Sequence, residues 1–389
     1  MMHVCVVAEN HAHVRMAGAE YQTVLLTEEL ARRPGVRVTF LGRRVPVGAA
    51  AEGLGYDVRC IGDEIGIHRR AVLFDSGGLR RALRELKPDV IYQQGLQSYT
   101  AVCAHYANQA QIPFFFHIAH EFDLNFRWVT LRLSPNTPFD LAECLAGRWG
   151  ARHASHVIVQ TEKQGRILQE TFGRTPTSVV RNFQPLPDAL PPMRPGPLSV
   201  FWVANFKDFK RPWLFVELAE SFAGRDDLEF LMAGRASTER RFVPLMQRIP
   251  QVPKLRYVGE QPIEKVNELM SQAAFHVNTS SFEGFPNTFL QAWARGAIVT
   301  TLAVDPDDGM EAIGIGYCAG SMQRLHDIID ELAKSEAKRR QVREAAFQFV
   351  HTHHSMQHGA RLATMILEAA TAAKQRESAQ VQNSLVGPP

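Results

Sequence analysis

The chain has 389 residues, of which 45% are hydrophobic and 21% are charged. This composition is typical of a soluble globular protein, and it excludes a disordered chain, a collagen-like fibre and a disulfide-stapled miniprotein. The formal net charge is only +3, so the chain lacks the basic signature of nucleic-acid binding and we expect no nucleic-acid partner.

Short apolar runs alternate with helix-length segments along almost the whole chain. The first run is 3–8, a helix-like segment follows over 19–33, and 36–42 is the next run. This order is a βαβ unit and predicts a parallel sheet of an α/β protein. Further strands are predicted at 89–92, 113–118, 156–160, 198–204, 228–233, 255–258, 275–279 and 297–303.

A proline-rich segment divides this series into two halves. Six of the thirteen residues 185–197 are proline, a residue that fixes φ and lacks an N–H donor. We therefore predict a linker over 185–197 between α/β domains at 1–184 and 198–354. A helix is predicted within 355–375, and the polar residues 376–389 are predicted to form a flexible tail.

The cysteine pattern indicates the compartment. The five cysteines are dispersed and form no CxxC pair, which argues against a disulfide framework and favours a reducing environment. The N-terminus lacks a basic segment typical of a signal peptide, and no apolar stretch reaches the ~18 residues of a membrane span. We expect a cytoplasmic protein, and peripheral contact with the inner face of a membrane stays open.

In open parallel sheets, ligands bind where strands end and helices begin. After the first strand stands Gly18, where a helix N-terminus and a small residue let backbone approach an anion; a plain tight turn is the alternative. His117 is predicted to face the core of the 113–118 strand. After that strand, His120 could donate to a substrate hydroxyl or phosphate, or transfer a proton; a packed, hydrogen-bonded histidine is the alternative.

The loop after 198–204 is basic. Lys207, Lys210 and Arg211 precede Pro212, a residue that suits the first position of a helix. Cations beside free helix N–H groups predict a phosphate site, with a solvated basic loop as the alternative. The chain contains no GxGxxG and no GxxxxGK[ST], so dinucleotide binding and P-loop ATP hydrolysis lack their usual sequence support.

The loop after 275–279 carries one carboxylate, Glu283. Asn287 or Thr288 is predicted to cap the following helix, which Gly296 ends. A carboxylate beside a helix N-terminus suits a ligand with a phosphate end and a polyol end, such as a nucleotide sugar. The alternative is a loop acid that caps the helix.

Four segments together resemble a known family. EGFPNTFLQAWARG at 283–296 resembles the signature of GT-B fold, family 4 retaining glycosyltransferases. Segments 18–22, 156–183 and 202–219 resemble other parts of the same family, and the likeness covers residues 3–370. It implies two Rossmann-like domains facing a central cleft, with the acceptor bound by the N-terminal domain, the donor bound by the C-terminal domain, and the final helix packed back on the N-terminal domain.

The resemblance also implies roles for residues. Glu283 matches the acid that contacts hydroxyls of the donor sugar, Lys210 the lysine that pairs with the diphosphate, and His120 a histidine near the reacting centre. It implies a retaining sugar transfer that needs no metal and no cofactor. The expected donor-binding residues are Gly18, Asn205, Lys207, Arg211, Phe285, Asn287, Thr288 and Gln291.

Two positions depart from the family pattern. Gln291 stands where a glutamate usually holds the ribose, and Asn205 stands where an arginine often occurs. We expect Lys207 or Arg211 to supply the missing positive charge. These departures motivate an alternative function, a non-catalytic sugar- or nucleotide-binding protein on a decayed transferase fold.

Other features leave alternatives open. Asp305-Pro-Asp307 has the DxD spacing that holds a metal and the donor diphosphate in GT-A glycosyltransferases, but it lies late in the chain, after the 297–303 strand, and the two-domain pattern disfavours GT-A. His351, His353, His354 and His358 have the raw spacing of a metal patch, which no cysteine or carboxylate completes. The acceptor is predicted only as a glycan, a lipid-linked saccharide or another hydroxyl compound, with polysaccharide biosynthesis as the expected context. The arginine-rich segment 122–152 and the arginines within 69–84 suit contact with an anionic membrane, or are solvated helix faces.

Overall fold

The chain divides into two α/β units. The computed structural model describes residues 1–62, 75–124, 137–306 and 309–385. Unit 1 comprises Met1–Phe183 and Met356–Pro389, and unit 2 comprises Gln184–Ser355. Each unit is a parallel sheet with helices on its faces, so the predicted two-domain, Rossmann-like α/β class is confirmed.

Unit 1 is built on one parallel sheet. Within the described residues its strands are β1 (Met2–Val7), β2 (Val36–Gly42), β3 (Asp57–Cys60), β4 (Val90–Gln94), β5 (Phe114–His117), β6 (His156–Val159) and β7 (Ser178–Val179). They lie in the order β3-β2-β1-β4-β5-β6-β7. The order reverses between β1 and β4, and this switch point is where such sheets bind ligands.

Helices cover both faces of this sheet. One buried cluster includes Leu79, Tyr99 and Cys103, and the cluster on the other face includes Val24 and Leu26. The described helices in this part of unit 1 are α1 (Gly18–Ala31), α2 (Ser76–Leu86), α3 (Ser98–Ala110), α4 (Thr137–His153) and α5 (Glu162–Phe172), with 3₁₀ turns at Gly48–Ala50 and Glu121–Leu124.

Unit 2 repeats the design with a second parallel sheet. Its described strands are β8 (Leu198–Val203), β9 (Leu228–Ala233), β10 (Leu255–Tyr257), β11 (Ala273–Asn278), β12 (Ile298–Thr301) and β13 (Gly316–Cys318). They lie in the order β10-β9-β8-β11-β12-β13, so the switch point falls between β8 and β11.

The helices of unit 2 begin and end at positions that their residues favour. Pro212 occupies the first turn of its helix, and the Ser321 and Ser335 hydroxyls accept from backbone N–H groups at the start of theirs. The described helices are α6 (Pro212–Ser221), α7 (Val243–Arg248), α8 (Ile263–Gln272), α9 (Asn287–Arg295), α10 (Met322–Lys334) and α11 (Glu336–His353), with 3₁₀ turns at Asp208–Lys210, Arg240–Phe242 and Ile249–Gln251.

The proline-rich segment 185–197 groups with unit 2. The His351 ring lies 2.9 Å from the Pro187 carbonyl oxygen, and Arg343 Nη2 donates to the Pro191 carbonyl at 2.6 Å. The segment that we expected to be a linker is therefore fastened to α11 through its backbone carbonyls, which proline leaves available as acceptors.

The last helix, α12 (Met356–Leu385), groups with unit 1. Leu362, Ile366 and Ala370 are fully buried in the same cluster as Val24 of α1. The helix continues to Leu385, so it extends into residues for which we expected a flexible tail. No helix in the described ranges is both long and apolar enough to cross a lipid bilayer.

Candidate functional site

The switch point of unit 2 brings two loops together. Lys210 ends a 3₁₀ turn in the loop after β8, and Glu283 lies in the loop after the neighbouring strand β11. Lys210 Nζ lies 2.6 Å from Glu283 Oε2, and the two side chains are only 19% and 13% exposed. The two residues predicted to act on opposite ends of one ligand therefore form an ion pair.

Hydrogen bonds hold the Glu283 carboxylate in place. Its Oε1 accepts from Asn278 Nδ2 at 2.8 Å and from Ser280 Oγ at 2.6 Å, and the Ser280 N–H in turn donates to Asn278 Oδ1 at 2.9 Å. Burial opposes ionisation, but the charge of Lys210 and these hydrogen bonds outweigh it and lower the pKa of Glu283. The site therefore holds a fixed negative charge at neutral pH.

Arg211 joins the two loops through backbone carbonyls. It has a φ of 47°, and its guanidinium donates from Nε to the Thr279 carbonyl at 2.6 Å and from Nη2 to the Ser280 carbonyl at 2.9 Å. Thr279 Oγ1 donates to the Lys210 carbonyl at 2.7 Å and accepts from Trp202 Nε1 at 2.9 Å. These bonds fix the backbone on either side of the Lys210–Glu283 pair.

An aromatic pair borders the site. The Phe209 and Phe282 rings stack with centroids 4.9 Å apart, and the Ser281 N–H donates to the Phe209 carbonyl at 2.7 Å. The ammonium groups of Lys207 and Lys210 lie 5.6 and 5.3 Å from the Phe209 centroid, within cation–π range. We did not predict a role for these phenylalanines. The sequence could have indicated one, because Phe209 directly precedes Lys210 and Phe282 directly precedes Glu283.

The helix after the Glu283 loop begins differently from our expectation. Its N-cap is Pro286, which has no side-chain cap hydrogen bond, so the prediction that Asn287 or Thr288 fills the cap position is wrong. Asn287 is instead the first helical residue. Backbone N–H groups at the start of a helix favour an anion. At the other end Gly296 adopts a φ of 75°, which confirms the predicted stop.

The remaining donor-binding candidates of unit 2 have mixed environments. Phe285 is 8% exposed and packs against His354 and Trp293, so its ring belongs to the core. Gln291 is 5% exposed, and its Nε2 donates to Asn267 Oδ1 at 3.0 Å. Lys207 is exposed.

Asn205 lies where the loops after β8 and β9 meet. Its Oδ1 accepts from the Arg235 N–H at 3.2 Å. This approach requires Gly234, which has a φ of 129° and whose Cβ, if present, would lie 1.8 Å from the Ala204 carbonyl oxygen. Asn205 thus connects two loops at the carboxyl edge of the sheet.

A buried histidine lies beneath the ion pair. His276 is 1% exposed, and its Nδ1 lies 3.3 Å from the Phe201 carbonyl oxygen. Burial lowers the pKa of His276 to about 4; the Phe201 carbonyl and Glu283 raise it by less, and Lys210 lowers it slightly further. The ring is therefore neutral at neutral pH. We did not single it out because an isolated histidine in an apolar strand resembles a core residue.

Gly18 and His120 belong to unit 1. Gly18 is the exposed first residue of α1, which follows β1. His120 is exposed after β5, and its backbone N–H and that of Ala119 donate to Asp123 Oδ2 at 3.1 and 2.9 Å. Burial raises the pKa of Asp123. Both residues thus lie at the carboxyl edge of the unit 1 sheet.

Neutral polar groups line the inner part of that edge. His117 is buried as predicted, with Nδ1 2.7 Å from the Tyr92 hydroxyl, and burial lowers its pKa to about 3. Gln94 and Gln160 are also buried, at 4% and 2% exposure. Among the described residues, Gln94 Nε2, His117 Nε2 and Gln160 Oε1 have no hydrogen-bond partner. Such groups can bind a hydroxyl-bearing ligand.

The two weaker metal motifs have other contacts. Asp305 Oδ1 accepts from the Met310 N–H at 3.0 Å, and Asp307 lies outside the described residues. The rings of His351 and His353 lie 2.9 and 3.0 Å from carbonyls one helical turn earlier. Within the part of the chain that the structure describes, no group of three His, Cys, Asp or Glu side chains is placed to hold a metal ion.

Solved structures of three proteins are similar to almost the whole chain. Anabaena HepE, in complex with UDP and glucose and with UDP-glucose, has a TM-score of 0.73 and 16% identity over 95% of this chain and 100% of that one. Sucrose-phosphate synthase from Thermosynechococcus elongatus has a TM-score of 0.77 and 14% identity over 96% of this chain and 100% of that one. WaaG, a glycosyltransferase involved in lipopolysaccharide biosynthesis, has a TM-score of 0.70 and 13% identity over 93% of this chain and 99% of that one. These likenesses show the fold.

Family models match both units. Residues 17–182 match the glycosyl transferase 4-like domain, and residues 197–335 match the glycosyl transferases group 1 model. No curated protein matches the chain in sequence. Together the two models span most of the chain and contain Gly18, His120, Lys210 and Glu283. The chain therefore belongs to the glycosyltransferases of GT-B fold.

Proposed function

We propose that this enzyme is a retaining, metal-independent glycosyltransferase of family 4 that uses a nucleotide-diphosphate sugar. The observation that carries the proposal is the Lys210–Glu283 ion pair, 2.6 Å long, at the switch point of unit 2. A cation and a carboxylate on adjacent loops match a ligand whose phosphate and hydroxyl ends are adjacent. When a nucleotide sugar binds, its diphosphate pairs with Lys210 and its sugar hydroxyls donate to Glu283. These contacts replace the Lys210–Glu283 ion pair.

The proposed chemistry follows the charge that develops on the donor. As the bond from the anomeric carbon to the diphosphate breaks, negative charge grows on the leaving oxygen. Lys210 and the N-terminus of α9 stabilise it. The acceptor oxygen bonds to the same carbon on the same face, and its proton passes to the leaving phosphate oxygen. Glu283 accepts hydrogen bonds from the sugar hydroxyls, so no enzyme nucleophile is needed.

The donor base is proposed from the relatives. HepE is solved with UDP and with UDP-glucose, which supports a UDP-hexose donor for this chain. We assign a contribution to ribose binding to Gln291, because its helix begins beside the Glu283 loop. Its bond to Asn267 orients the amide. Arg211 already donates to two carbonyls, so we assign the additional charge near the diphosphate to Lys207.

Unit 1 is proposed to bind the acceptor. The unpartnered polar atoms of Gln94, His117 and Gln160 are uncharged at neutral pH and suit sugar hydroxyls. WaaG, which is involved in lipopolysaccharide biosynthesis, supports a glycan or glycolipid acceptor and a role in polysaccharide biosynthesis. His120 remains our proposed residue near the reacting centre.

We also propose a cytoplasmic enzyme with peripheral contact to an anionic membrane. Leu145 and Trp149 lie one turn apart on α4 and are 52% and 40% exposed. Arg148 does not serve this contact, because its guanidinium lies 4.3 Å from the Phe172 centroid and donates to backbone carbonyls. Binding to anionic vesicles at low salt that is lost in high salt would support the contact; absence at low salt would contradict it.

The test of the proposed function is transfer or hydrolysis from a panel of nucleotide sugars, monitored by release of the nucleoside diphosphate. NMR of the product gives the anomeric configuration, which we expect to equal that of the donor. Activity is expected to survive a chelator. An inverted product would contradict the retaining mechanism, and loss of activity on chelation would contradict metal independence. Binding without turnover of any donor would favour the non-catalytic alternative.

A further inference from the structure

A second cluster of positively charged residues lies at the amino-terminal ends of the unit 2 strands, opposite the Lys210–Glu283 pair. Arg339 and Arg343 lie one turn apart on α11 and are 9% and 6% exposed. Both line a cavity of about 20 Å³ together with Leu198 and Ala273, which begin β8 and β11. Glu283 follows the other end of β11, whose six residues span about 20 Å. This cavity is therefore separate from the proposed donor site.

The two buried guanidinium groups have no carboxylate partner in the described structure. Arg339 Nη1 donates to the Leu332 and Ala333 carbonyls at 2.6 and 2.7 Å, and Arg343 Nη2 donates to the Pro191 carbonyl at 2.6 Å. Burial and the neighbouring Arg339 lower the pKa of Arg343. Two buried like charges at this spacing repel one another, so an anion between them would be stabilised.

Helix capping explains part of this arrangement. Leu332 and Ala333 lie in the last turn of α10, and Arg343 Nη2 lies beside Gly296 at the end of α9, where a Cβ would approach it to 2.7 Å. Cations stabilise helix C-termini in this way. Capping does not use Arg339 Nε, which is buried and has no hydrogen-bond partner among the described residues. Nor does it require a cavity.

A larger cavity adjoins the first. It measures about 340 Å³ and shares Arg194, Ser199 and Gln272 with the smaller one. Lys254 and Arg256 also line it. Glu229, which also lines it, lies 3.5 Å from Arg194, and Lys254 pairs with Asp226 at 2.6 Å. Arg256, Arg339 and Arg343 still give the lining of the two cavities an excess of positive charge. The volume lies in the range of small-molecule sites.

We infer that the amino-terminal edge of the unit 2 sheet holds a second ligand site, for a small phosphorylated molecule. A phosphate oxygen enters the smaller cavity between Arg339 and Arg343, where the space admits a water-sized group. The organic part occupies the larger cavity. A phosphate fits better than a carboxylate, because its charge approaches −2 and its oxygens can accept from both guanidinium forks.

Thermal unfolding with inorganic phosphate tests the site. The background is the Lys210→Ala variant, which weakens phosphate binding at the proposed donor site, and sodium chloride keeps ionic strength constant. We expect phosphate to raise the Tm by about 2–4 °C. No rise beyond that in sodium chloride would overturn the inference. This outcome is independent of whether the enzyme turns over a nucleotide sugar, so the two proposals fail separately.

Two surface variants localise the effect. Arg194 lines both cavities, is 54% exposed and pairs with Glu229. Arg340 is its matched control, because it is 75% exposed, pairs with Glu344 and lines neither cavity. In the same background, Arg194→Gln is expected to reduce the phosphate-dependent rise, whereas Arg340→Gln keeps it. Equal rises in the two variants would show phosphate bound elsewhere.

A hexose phosphate tests the larger cavity. Because the organic part gains contacts there, we expect it to stabilise the same background at a concentration about tenfold lower than inorganic phosphate does. Arg339→Gln, which keeps the helix but removes the unpartnered Nε, is expected to abolish both effects. If that variant does not fold, Arg194→Gln alone decides. Equal potency of the two probes would contradict occupation of the larger cavity.

Discussion

The two units share an architecture but differ in the chemistry at the carboxyl edge of their sheets. In unit 2 this edge carries an ionised pair, Lys210 and Glu283, held by side-chain and backbone hydrogen bonds. In unit 1 the inner part of this edge carries neutral groups, with His117 and Gln94 paired in register on adjacent strands. One fold thus provides a charged site that suits a diphosphate and an uncharged site that suits hydroxyls.

The largest expected effect is in unit 2. Lys210→Ala should lower kcat by roughly 10²-fold or more, because it removes a fixed cation from the leaving diphosphate, a loss of about 3–4 kcal/mol. Steady-state kinetics with the donor found in the panel measures it. Lys207→Ala, in the same loop, should cost less than about tenfold, since Lys207 is exposed and its charge is screened by solvent. A Lys210 variant within a few-fold of wild type would remove it from the mechanism.

A substitution at the carboxyl edge of the unit 1 sheet should change the kinetics of the acceptor and leave donor binding unchanged. Gln160→Leu is expected to raise the acceptor KM by about tenfold, because it removes a hydrogen-bonding group. It should leave UDP affinity unchanged. Because Gln160 Oε1 is buried and unpartnered in the described structure, the variant should keep or slightly raise the Tm. A weaker affinity for UDP would contradict the assignment of acceptor binding to unit 1 and donor binding to unit 2.

Acid should reveal the effect of His117, a buried histidine of unit 1, on stability. His117 has a pKa of about 3, below its ordinary 6.5, so the unfolded chain binds the proton more readily. Its contribution to stability is complete above pH 6.5 and is lost as pH falls towards 3, by up to about 1.4 kcal/mol per pH unit. His117→Gln should flatten the pH dependence of the unfolding free energy. An unchanged slope between pH 6 and 4 would contradict this.

The smallest expected effect concerns the ribose. Gln291→Glu restores the carboxylate of the family pattern and should tighten UDP binding by about two- to fivefold, since a charged acceptor forms a stronger hydrogen bond with a hydroxyl. Asn267 can turn its amide to donate to the new carboxylate. Calorimetric titration measures the change. Weaker binding would show that the amide at this position is required.

Much of the fold could be predicted from apolar runs, because central parallel strands are buried on both faces. We missed three strands: β3, β7 and β13. Each is an outermost strand of its sheet in the described structure, and all three are only partly buried. They lack a continuous apolar run for that reason. The extension of α12 to Leu385 was missed because we took polarity as a sign of fraying, whereas an exposed helix is polar all round.

The site was predictable where it depends on strand order and not where it depends on tertiary contacts. Lys210 and Glu283 each follow a predicted strand, and sheets of this class place ligands there. The bonds of Arg211 to the Thr279 and Ser280 carbonyls join loops 68 and 69 residues apart in sequence, so no local pattern reveals them. The Phe209–Phe282 stack and the core position of Phe285 have the same origin.

The most direct test of the account compares the affinities of UDP and UDP-glucose for the wild type, Lys210→Ala and Glu283→Gln. Lys210→Ala should weaken both ligands by about tenfold or more, because both carry the diphosphate. Glu283→Gln should weaken UDP-glucose alone and leave UDP unchanged or tighter, because it removes a negative charge next to the phosphates. Equal weakening of both ligands by Glu283→Gln would contradict the assignment of Lys210 and Glu283 to opposite ends of one donor.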